Sequence, residues 1–93
     1  MKILAVCGFG VGSSMILGMS IKKACKALNI DADVENTDLT DARATKCDAI
    51  FTSTELAEEL RNGVKAPVYE IKKYMDVAEV TQQLKNFLED INK

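Results

Sequence analysis

The residues best suited to chemistry lie near the start of the chain, in the segment Cys7-Gly8-Phe9-Gly10-Val11-Gly12-Ser13-Ser14. The segment contains three of the five glycines and follows the apolar run KILAV, which is typical of a buried parallel strand. Glycines in such a turn permit positive φ angles and a close backbone approach, so several N–H groups can converge on one anion. The segment therefore predicts an anion-binding loop that begins with a cysteine.

Cys7 is the predicted nucleophile of this loop. A helix that starts at Ser13 or Ser14 places about half a positive charge at its N-terminus, and this field favours a nearby thiolate. A nucleophilic thiolate beside bound phosphate predicts a covalent phosphocysteine. In the alternative interpretation the glycines only shape a tight turn and Cys7 is a small buried residue, which leaves the Ser-Ser helix start without a role.

Three other glycine-loop functions fit these residues less well. A dinucleotide-binding loop has its third glycine one position later than Gly12, and a Walker A loop requires a Lys-Ser/Thr pair that is absent. Low-molecular-weight phosphatases have an arginine where this chain has Ser13. Without a guanidinium that clamps phosphate, the loop is expected to hydrolyse phosphate esters poorly, which favours transfer to another acceptor.

The composition excludes several classes of protein. The chain has 93 residues, of which 12 are basic, 14 acidic and none histidine, for a net charge of −2. This balance argues against a nucleic-acid-binding protein. The missing histidine and the unpaired spacing of the three cysteines argue against a zinc site and against a self-contained Ser-His or Cys-His hydrolase. We expect no metal and no other cofactor.

The N-terminal run also bears on location. No stretch approaches the roughly 20 apolar residues of a membrane span. The run MKILAVCGFGVGSSMILG has one basic residue and is interrupted by glycines and serines, unlike a signal peptide. We therefore expect a cytoplasmic protein with reduced thiols and no direct membrane insertion.

The rest of the chain predicts alternating strands and helices in a single domain, residues 1–93. Strands are predicted at residues 2–6, 31–36, 48–53 and 67–71. Helices are predicted from Ser13 or Ser14 to about Leu28, at 37–45 as a short helix or loop, at 54–62, and from Asp76 onward. Alternating units of this size predict a parallel sheet with helices on both faces and a ligand site at the carboxyl ends of the strands.

Several polar residues are expected to cap these helices. The candidate N-caps are Ser13 or Ser14, then Asp38 or Thr40, then Thr54, then Asp76, and Asn29 is the expected stop of the first helix. Asp38 and Asp41 also follow the second strand at the predicted site edge, where an acid would be useful, but capping is the simpler role. Thr52 and Ser53 end the third strand near the loop.

The first helix has two different faces. Its core face contains Leu17, Ile21, Ala24 and Leu28. Met15 and Met19 lie on the opposite side with the lysines, where adaptable methionines suit a surface that binds partner proteins. The alternative is that another element covers them.

Cys25 is expected to be a packing residue and Cys47 to be incidental. In the last helix an apolar stripe comprises Val77, Val80, Leu84, Phe87, Leu88 and Ile91.

The segment ILAVCGFGVGSSMIL, within a βα pattern that spans the chain, resembles the IIB component of the bacterial phosphoenolpyruvate-dependent sugar phosphotransferase system (PTS). Its Cys-Gly-x-Gly-x-Gly-Ser-Ser-Met pattern is most similar to the ascorbate-type proteins of the lactose/ascorbate IIB-like superfamily. The resemblance implies an α/β three-layer sandwich with a four-stranded parallel sheet, strand order 2-1-3-4, and a phosphatase-I-like doubly wound topology.

The resemblance also implies a function. Cys7 would accept a phosphoryl group from a phosphohistidine on a IIA protein and pass it to a carbohydrate, by similarity L-ascorbate, held by the membrane-embedded IIC permease. The phosphate-binding backbone would be that of Gly8, Phe9, Gly10, Val11, Gly12, Ser13 and Ser14. Two alternatives stay open on the residues alone: an enzyme like the low-molecular-weight phosphatases and arsenate reductases, and a non-catalytic anion-binding regulatory module.

Overall fold

A computed structural model describes residues 1–6 and 11–91, and for residues 11–14 it describes the backbone alone. Within these residues strands and helices alternate along the chain. The strands are Lys2–Val6 (β1), Asp33–Thr37 (β2), Ala49–Thr52 (β3) and Val68–Glu70 (β4). The helices are Val11–Ala27 (α1), Leu39–Ala44 (α2), Thr54–Gly63 (α3) and Val77–Ile91 (α4).

The four strands form one parallel sheet in the order β2-β1-β3-β4, which confirms the predicted architecture. The first strand lies inside the sheet, where Ile3 to Val6 are completely buried. This explains its unbroken apolar sequence, because a strand covered by helices on both faces has no solvent side. β2 lies at the edge, and Val34 is the single buried residue of its five.

Two apolar clusters fill the space between the sheet and the helices on its two faces. The larger one packs α1 and α4 against one face, with Leu17, Ile21 and Phe87 fully buried. The smaller one packs α2 and α3 against the other face through Ala42, Ala57 and Leu60. The three layers follow from the sequence pattern, because each helix has one apolar side. No helix in the described part of the chain is both long enough and apolar enough to cross a membrane.

Local signals set most of the helix ends. Asn29 has a φ of 57° and follows the last turn of α1, as expected for a residue that tolerates the left-handed conformation. The Asp38 carboxylate accepts from the N–H of Asp41 and caps α2, so Thr40 is not the cap. Asp76 caps α4 through the N–H groups of Ala78 and Glu79. The predicted caps Asp38 and Asp76 are confirmed.

Some predicted boundaries were wrong. The N-cap of α3 is Ser53 and not Thr54. Thr54 is already helical, and the Ser53 hydroxyl accepts a hydrogen bond from the Leu56 N–H. β2 lies two residues later than expected at its start and one later at its end, where its register with β1 places it. Ile91 is 51% exposed, so the apolar stripe of α4 is buried only through Phe87, with Leu88 half-buried.

Gly18 explains how closely α1 approaches β2. A Cβ at this position would overlap the side-chain amide of Asn36. Glycine therefore permits a contact between the helix and the edge strand that a larger residue would force apart.

Three aromatic side chains, one each from β3, β4 and α4, are in contact in the larger apolar cluster. Phe51, Tyr69 and Phe87 make two edge-to-face contacts, with ring centroids 5.5 and 5.9 Å apart. The Tyr69 hydroxyl donates a hydrogen bond of 2.6 Å to the Asp90 carboxylate. Burial of the phenol, and then its contact with Asp90, raise the pKa of Tyr69 above its ordinary value.

This arrangement predicts how stability depends on alkaline pH. The folded chain holds the Tyr69 proton more tightly than the unfolded chain does, so the protonated phenol contributes to the free energy of unfolding. This stabilisation is complete below about pH 10 and is lost as the pH rises further. The Tyr69 tyrosinate absorbance, isolated as the difference between wild type and Tyr69→Phe, should appear only with unfolding. The variant should also lose about 1 kcal/mol of stability in urea at neutral pH. A folded protein whose Tyr69 titrates near pH 10 would contradict this account.

Candidate functional site

The candidate site is built at the carboxyl edge of the sheet, where β1 ends. Val6 is the last residue of β1, and it is paired in register with Thr37 of β2 on one side and Thr52 of β3 on the other. Because the strands are parallel, the segments that follow all three strands start from this edge. The residues placed here by the fold are therefore those that follow Val6, Thr37 and Thr52 in the chain.

Thr52 fixes the end of β1. Its side chain is completely buried, and its hydroxyl donates a 2.8 Å hydrogen bond to the carbonyl oxygen of Val6. The backbone carbonyl of Thr52 in turn accepts from the N–H of Ile71 beyond β4. This threonine of β3 therefore links the last residue of β1, which directly precedes Cys7, to β3 and to the segment after β4. The sequence indicated that Thr52 lies near the loop but did not reveal this contact.

The central predicted residues, Cys7, Gly8, Phe9 and Gly10, lie outside the described residues. Val11, Gly12, Ser13 and Ser14 form the first turn of α1, and only their backbone is described. The prediction that α1 starts at Ser13 or Ser14 was wrong, because the helix already begins at Val11. The two serines therefore lie within the first turn and do not precede it.

The first turn of α1 brings backbone donors to this edge. The first four N–H groups of a helix have no acceptor within the helix, and the N-terminus of the helix is equivalent to about half a positive charge. In α1 the helical residues that carry such N–H groups are Val11, Gly12 and Ser13, which lie five to seven residues after the end of β1. No acidic residue lies in this turn. Cys7 thus lies in the sequence between the end of β1 and the start of α1, and the start of α1 carries a partial positive charge.

The structure also contains an open cavity of about 320 Å³ beside this edge, between the start of α3 and the segment after β4. Its lining combines hydroxyl groups, one carboxylate, one ammonium group and an apolar residue: Ser53, Thr54, Glu55, Ile71, Lys72 and Tyr74. Sequence reasoning did not identify Glu55 or Tyr74 as neighbours of the site. The cavity joins residues 53–55 to residues 71–74, which are distant in the sequence, so no local spacing signalled it.

The segment that follows β4 is held in place by hydrogen bonds. The Glu79 carboxylate accepts from the backbone N–H groups of Lys72 and Lys73, at 2.7 and 3.0 Å. The Ser20 hydroxyl of α1 donates to the carbonyl oxygen of Tyr74 at 2.6 Å. The turn at residues 72–75 is therefore fastened both to α4 and to α1.

The two aspartates after β2 act locally. Asp38 follows Thr37, and its carboxylate is engaged by the Asp41 N–H at 2.8 Å. Asp41 is exposed in the first turn of α2, and its backbone carbonyl accepts from the Thr45 hydroxyl. These contacts assign Asp38 to helix capping, as expected.

The two other cysteines occupy apolar surroundings. Cys25 is only 4% exposed and belongs to the larger core cluster, and Cys47 packs partly against the smaller one. Burial raises the pKa of the Cys25 thiol. Burial, followed by the charge of Asp48, also raises the pKa of the Cys47 thiol. The expectation that Cys25 is a packing residue is confirmed, and both thiols are poorly suited to act as nucleophiles.

The exposed side of α1 is apolar near the site. Met15 and Met19 are 50% and 55% exposed, and Ile16 beside them is 43% exposed. The predicted exposure of Met15 and Met19 is confirmed, while the role of these two methionines in docking stays a prediction.

Comparison with known proteins identifies the family. Residues 2–86 match the family model described as the lactose/cellobiose-specific IIB subunit of the PTS. The chain belongs to the PTS IIB family. A curated relative, the ascorbate-specific PTS EIIB component of Mycoplasma pneumoniae, is 30% identical over 90 residues, which covers 95% of each chain. Membership of this family supports a role as a phosphotransferase component.

Solved structures of PTS IIB proteins have the same fold. The lactose-specific IIB component domain of Streptococcus pneumoniae superimposes with a TM-score of 0.63, covering 96% of this chain and 95% of the other, at 17% identity. The Enzyme IIB subunit of the PTS from Escherichia coli K12 gives a TM-score of 0.55 at 17% identity, covering 98% and 92%. These likenesses concern the fold, which they show to be that of PTS IIB domains.

The contact between Thr52 and Val6 predicts a difference between two variants. Thr52→Val keeps the shape of the side chain but removes the hydroxyl, so it should cost about 1 kcal/mol of stability in urea denaturation. Thr52→Ser keeps the donor and serves as the matched control, with the loss limited to one methyl group. Equal stability of Thr52→Val and wild type would show that the bond does not hold the end of β1.

The burial of two thiols predicts their reactivity. In Cys7→Ser, the thiols of Cys25 and Cys47 should react with a disulfide reagent at pH 7 at least about tenfold more slowly than in the urea-unfolded chain, because burial disfavours their thiolates. Cys25 should be the slower of the two. Equal rates in the folded and unfolded variant would contradict the described burial.

Proposed function

We propose that this PTS IIB protein carries a phosphoryl group on Cys7. It accepts the group from a phosphohistidine of a phosphorylated IIA protein and delivers it to a carbohydrate held by the membrane-embedded IIC permease. The observation that carries the proposal is that β1 ends at Val6, at the carboxyl edge of the sheet, and that Val6 directly precedes Cys7 in the sequence. Parallel sheets bind ligands at this edge, so a cysteine that follows such a strand end is proposed to act there.

The proposed chemistry consists of two displacements at phosphorus. The Cys7 thiolate attacks the phosphorus atom in line, an S–P bond forms, and the P–N bond to the IIA histidine breaks, with its electron pair returning to the imidazole. A hydroxyl group of the carbohydrate then attacks the same phosphorus atom and loses its proton, and the S–P bond breaks to restore the thiolate. The absence of histidine from this chain is consistent with a donor on the partner.

The backbone supplies the electrostatic stabilisation in this proposal. Charge on the transferring group lies mainly on its non-bridging oxygens, so donors already oriented towards them lower the barrier. The N–H groups of Val11, Gly12 and Ser13 at the start of α1 are proposed to provide such donors. The N–H groups of Gly8, Phe9 and Gly10 are proposed to complete the set.

The family match favours this carrier role over hydrolysis. Ser13 occupies the position at which the phosphatases have their arginine. Without that guanidinium, the loop lacks the bidentate clamp on phosphate. The phosphocysteine is therefore proposed to persist until a carbohydrate acceptor is presented. Because the proposed donor chain starts from phosphoenolpyruvate, we propose that this protein acts in the cytoplasm.

We propose L-ascorbate as the carbohydrate. The support is the 30% identical relative from Mycoplasma pneumoniae, which is named as ascorbate-specific. The family description names lactose and cellobiose, and the 17% identical lactose-specific structure supports the fold alone. Since the carbohydrate is proposed to bind to IIC, the permease that pairs with this chain determines which substrate is phosphorylated.

The phosphoryl carrier role predicts a specific change in mass. Incubation with phosphoenolpyruvate, the general phosphotransfer proteins and the cognate IIA should add one phosphoryl group to the intact protein. Cys7→Ser should add none, because it lacks the thiolate. Cys25→Ser and Cys47→Ser are the matched controls, and each should be phosphorylated like wild type. Phosphorylation of Cys7→Ser would place the acceptor elsewhere and overturn the proposal.

The proposed substrate predicts selective transfer. When the phosphorylated protein is mixed with membranes that contain the cognate IIC, L-ascorbate should discharge the phosphoryl group at least about tenfold faster than lactose or cellobiose. The rate is followed by the loss of the phosphorylated form in intact-protein mass spectra. Faster discharge by lactose or cellobiose would contradict the ascorbate assignment and leave the carrier role intact.

A further inference from the structure

The exposed side of α1 is divided along the helix axis. The three residues nearest the site, Met15, Ile16 and Met19, expose large apolar side chains. The next turns expose Lys22, Lys23 and Lys26, and α1 contains no acidic residue. At 1.5 Å per residue, the lysines lie about 5 to 15 Å farther along the helix than the apolar residues.

A second element extends this surface. Met75 is 80% exposed in the turn after β4, and the hydrogen bond from Ser20 to the Tyr74 carbonyl joins this turn to α1. Met19 directly precedes Ser20, and Met75 directly follows Tyr74, so the bond brings the two methionines into one neighbourhood. Ile16 lies one helical turn before Ser20, on the side of α1 that adjoins the turn. Met15, Ile16, Met19 and Met75 are hereafter the methionine patch.

The turn that presents Met75 is fixed before any partner arrives. Glu79 binds the N–H groups of Lys72 and Lys73, and Asp76 closes the turn by donating its N–H to the Lys73 carbonyl at 3.0 Å. A fixed turn loses little conformational freedom on association, which reduces the cost of binding. The exposed, flexible Met75 side chain on this fixed backbone suits an adaptable contact.

The charges of the chain indicate the chemistry of the partner. Residues 1–30 contain four lysines and no aspartate or glutamate, whereas the rest of the chain contains eight basic and fourteen acidic residues. The net negative charge of the chain is therefore confined to the part after α1. The methionine patch is bordered by the three lysines of α1 and by Lys72 and Lys73 of the turn, all exposed.

We infer that the methionine patch and the lysines of α1 form a composite docking surface for a protein with an apolar centre and carboxylates along one side. Resting on the proposed function, we assign this surface to the IIA protein, since it begins in the first turns of α1 beside the site. Apolar contact supplies affinity, and the lysines steer the acidic partner so that its apolar centre meets the methionine patch. A protein partner reaches this surface without obstruction from any described element, as the exposure of its residues shows.

The test is a binding titration with unphosphorylated cognate IIA, which reports docking independently of transfer. Relative to wild type, the reversal Lys22→Glu/Lys23→Glu/Lys26→Glu should raise Kd at least about tenfold and remove most of its dependence on salt. The matched control, Lys46→Glu/Lys65→Glu/Lys85→Glu, makes the same change in net charge at exposed lysines outside α1 and outside the turn that carries Met75, and should stay within about twofold of wild type. Met19→Asp/Met75→Asp should also raise Kd about tenfold or more.

The outcomes separate this inference from the proposed function. If Cys7 takes up phosphate but the α1 reversal binds IIA like wild type, the docking surface is wrong and the carrier role stands. If the variants weaken binding as expected but Cys7 takes up no phosphate, the surface stands and the carrier role fails. Self-association that the α1 reversal abolishes, without any binding of IIA, would assign the surface to a second copy of this chain and overturn the inference. Circular dichroism and urea denaturation confirm that each variant is folded.

Discussion

The parallel pairing of β1 with both β2 and β3 is the constraint on which the site depends. It sets the ends of the three strands, at Val6, Thr37 and Thr52, side by side at one edge of the sheet. Each following helix must begin near that edge before it returns along the sheet. The buried hydrogen bond from Thr52 to the Val6 carbonyl holds this register at the last residue before Cys7. The sheet thus fixes the residue that directly precedes the proposed nucleophile, and the helix that follows is proposed to supply the donors.

This arrangement explains how so small a chain can take part in phosphoryl transfer. The described polar side chains at this edge stabilise the fold: Asp38 and Ser53 cap helices, and the Thr52 hydroxyl bonds β3 to β1. The proposed mechanism therefore relies on a thiolate and on backbone N–H groups. The histidine and the carbohydrate pocket are assigned to the IIA and IIC partners. Docking of IIA is assigned to the surface beside the site, where the apolar and basic parts of α1 adjoin the turn carrying Met75.

The parts of the fold that were predictable are those with a local signal. The apolar run of β1, the amphipathic face of α1 and the caps Asp38 and Asp76 lie in consecutive residues whose periodicity or chemistry is visible in the sequence. Contacts between distant segments have no such signal, so the Thr52–Val6 bond, the Ser20–Tyr74 bond and the cavity beside Tyr74 became visible only in the fold. The start of α1 at Val11 was missed because a Ser-Ser pair is a strong capping signal, whereas a helix that begins among glycines has none.

Locating the phosphoryl group on the chain is the most direct test of the central claim. Trypsin should separate the three cysteines into peptides 3–22, 24–26 and 47–61, because lysine or arginine precedes and ends each of them. After brief incubation with phosphorylated IIA and rapid quenching, the account predicts phosphate in peptide 3–22 alone, with fragment ions that place it on Cys7. Phosphate on Ser13, on Ser14 or in either of the other two peptides would contradict the account.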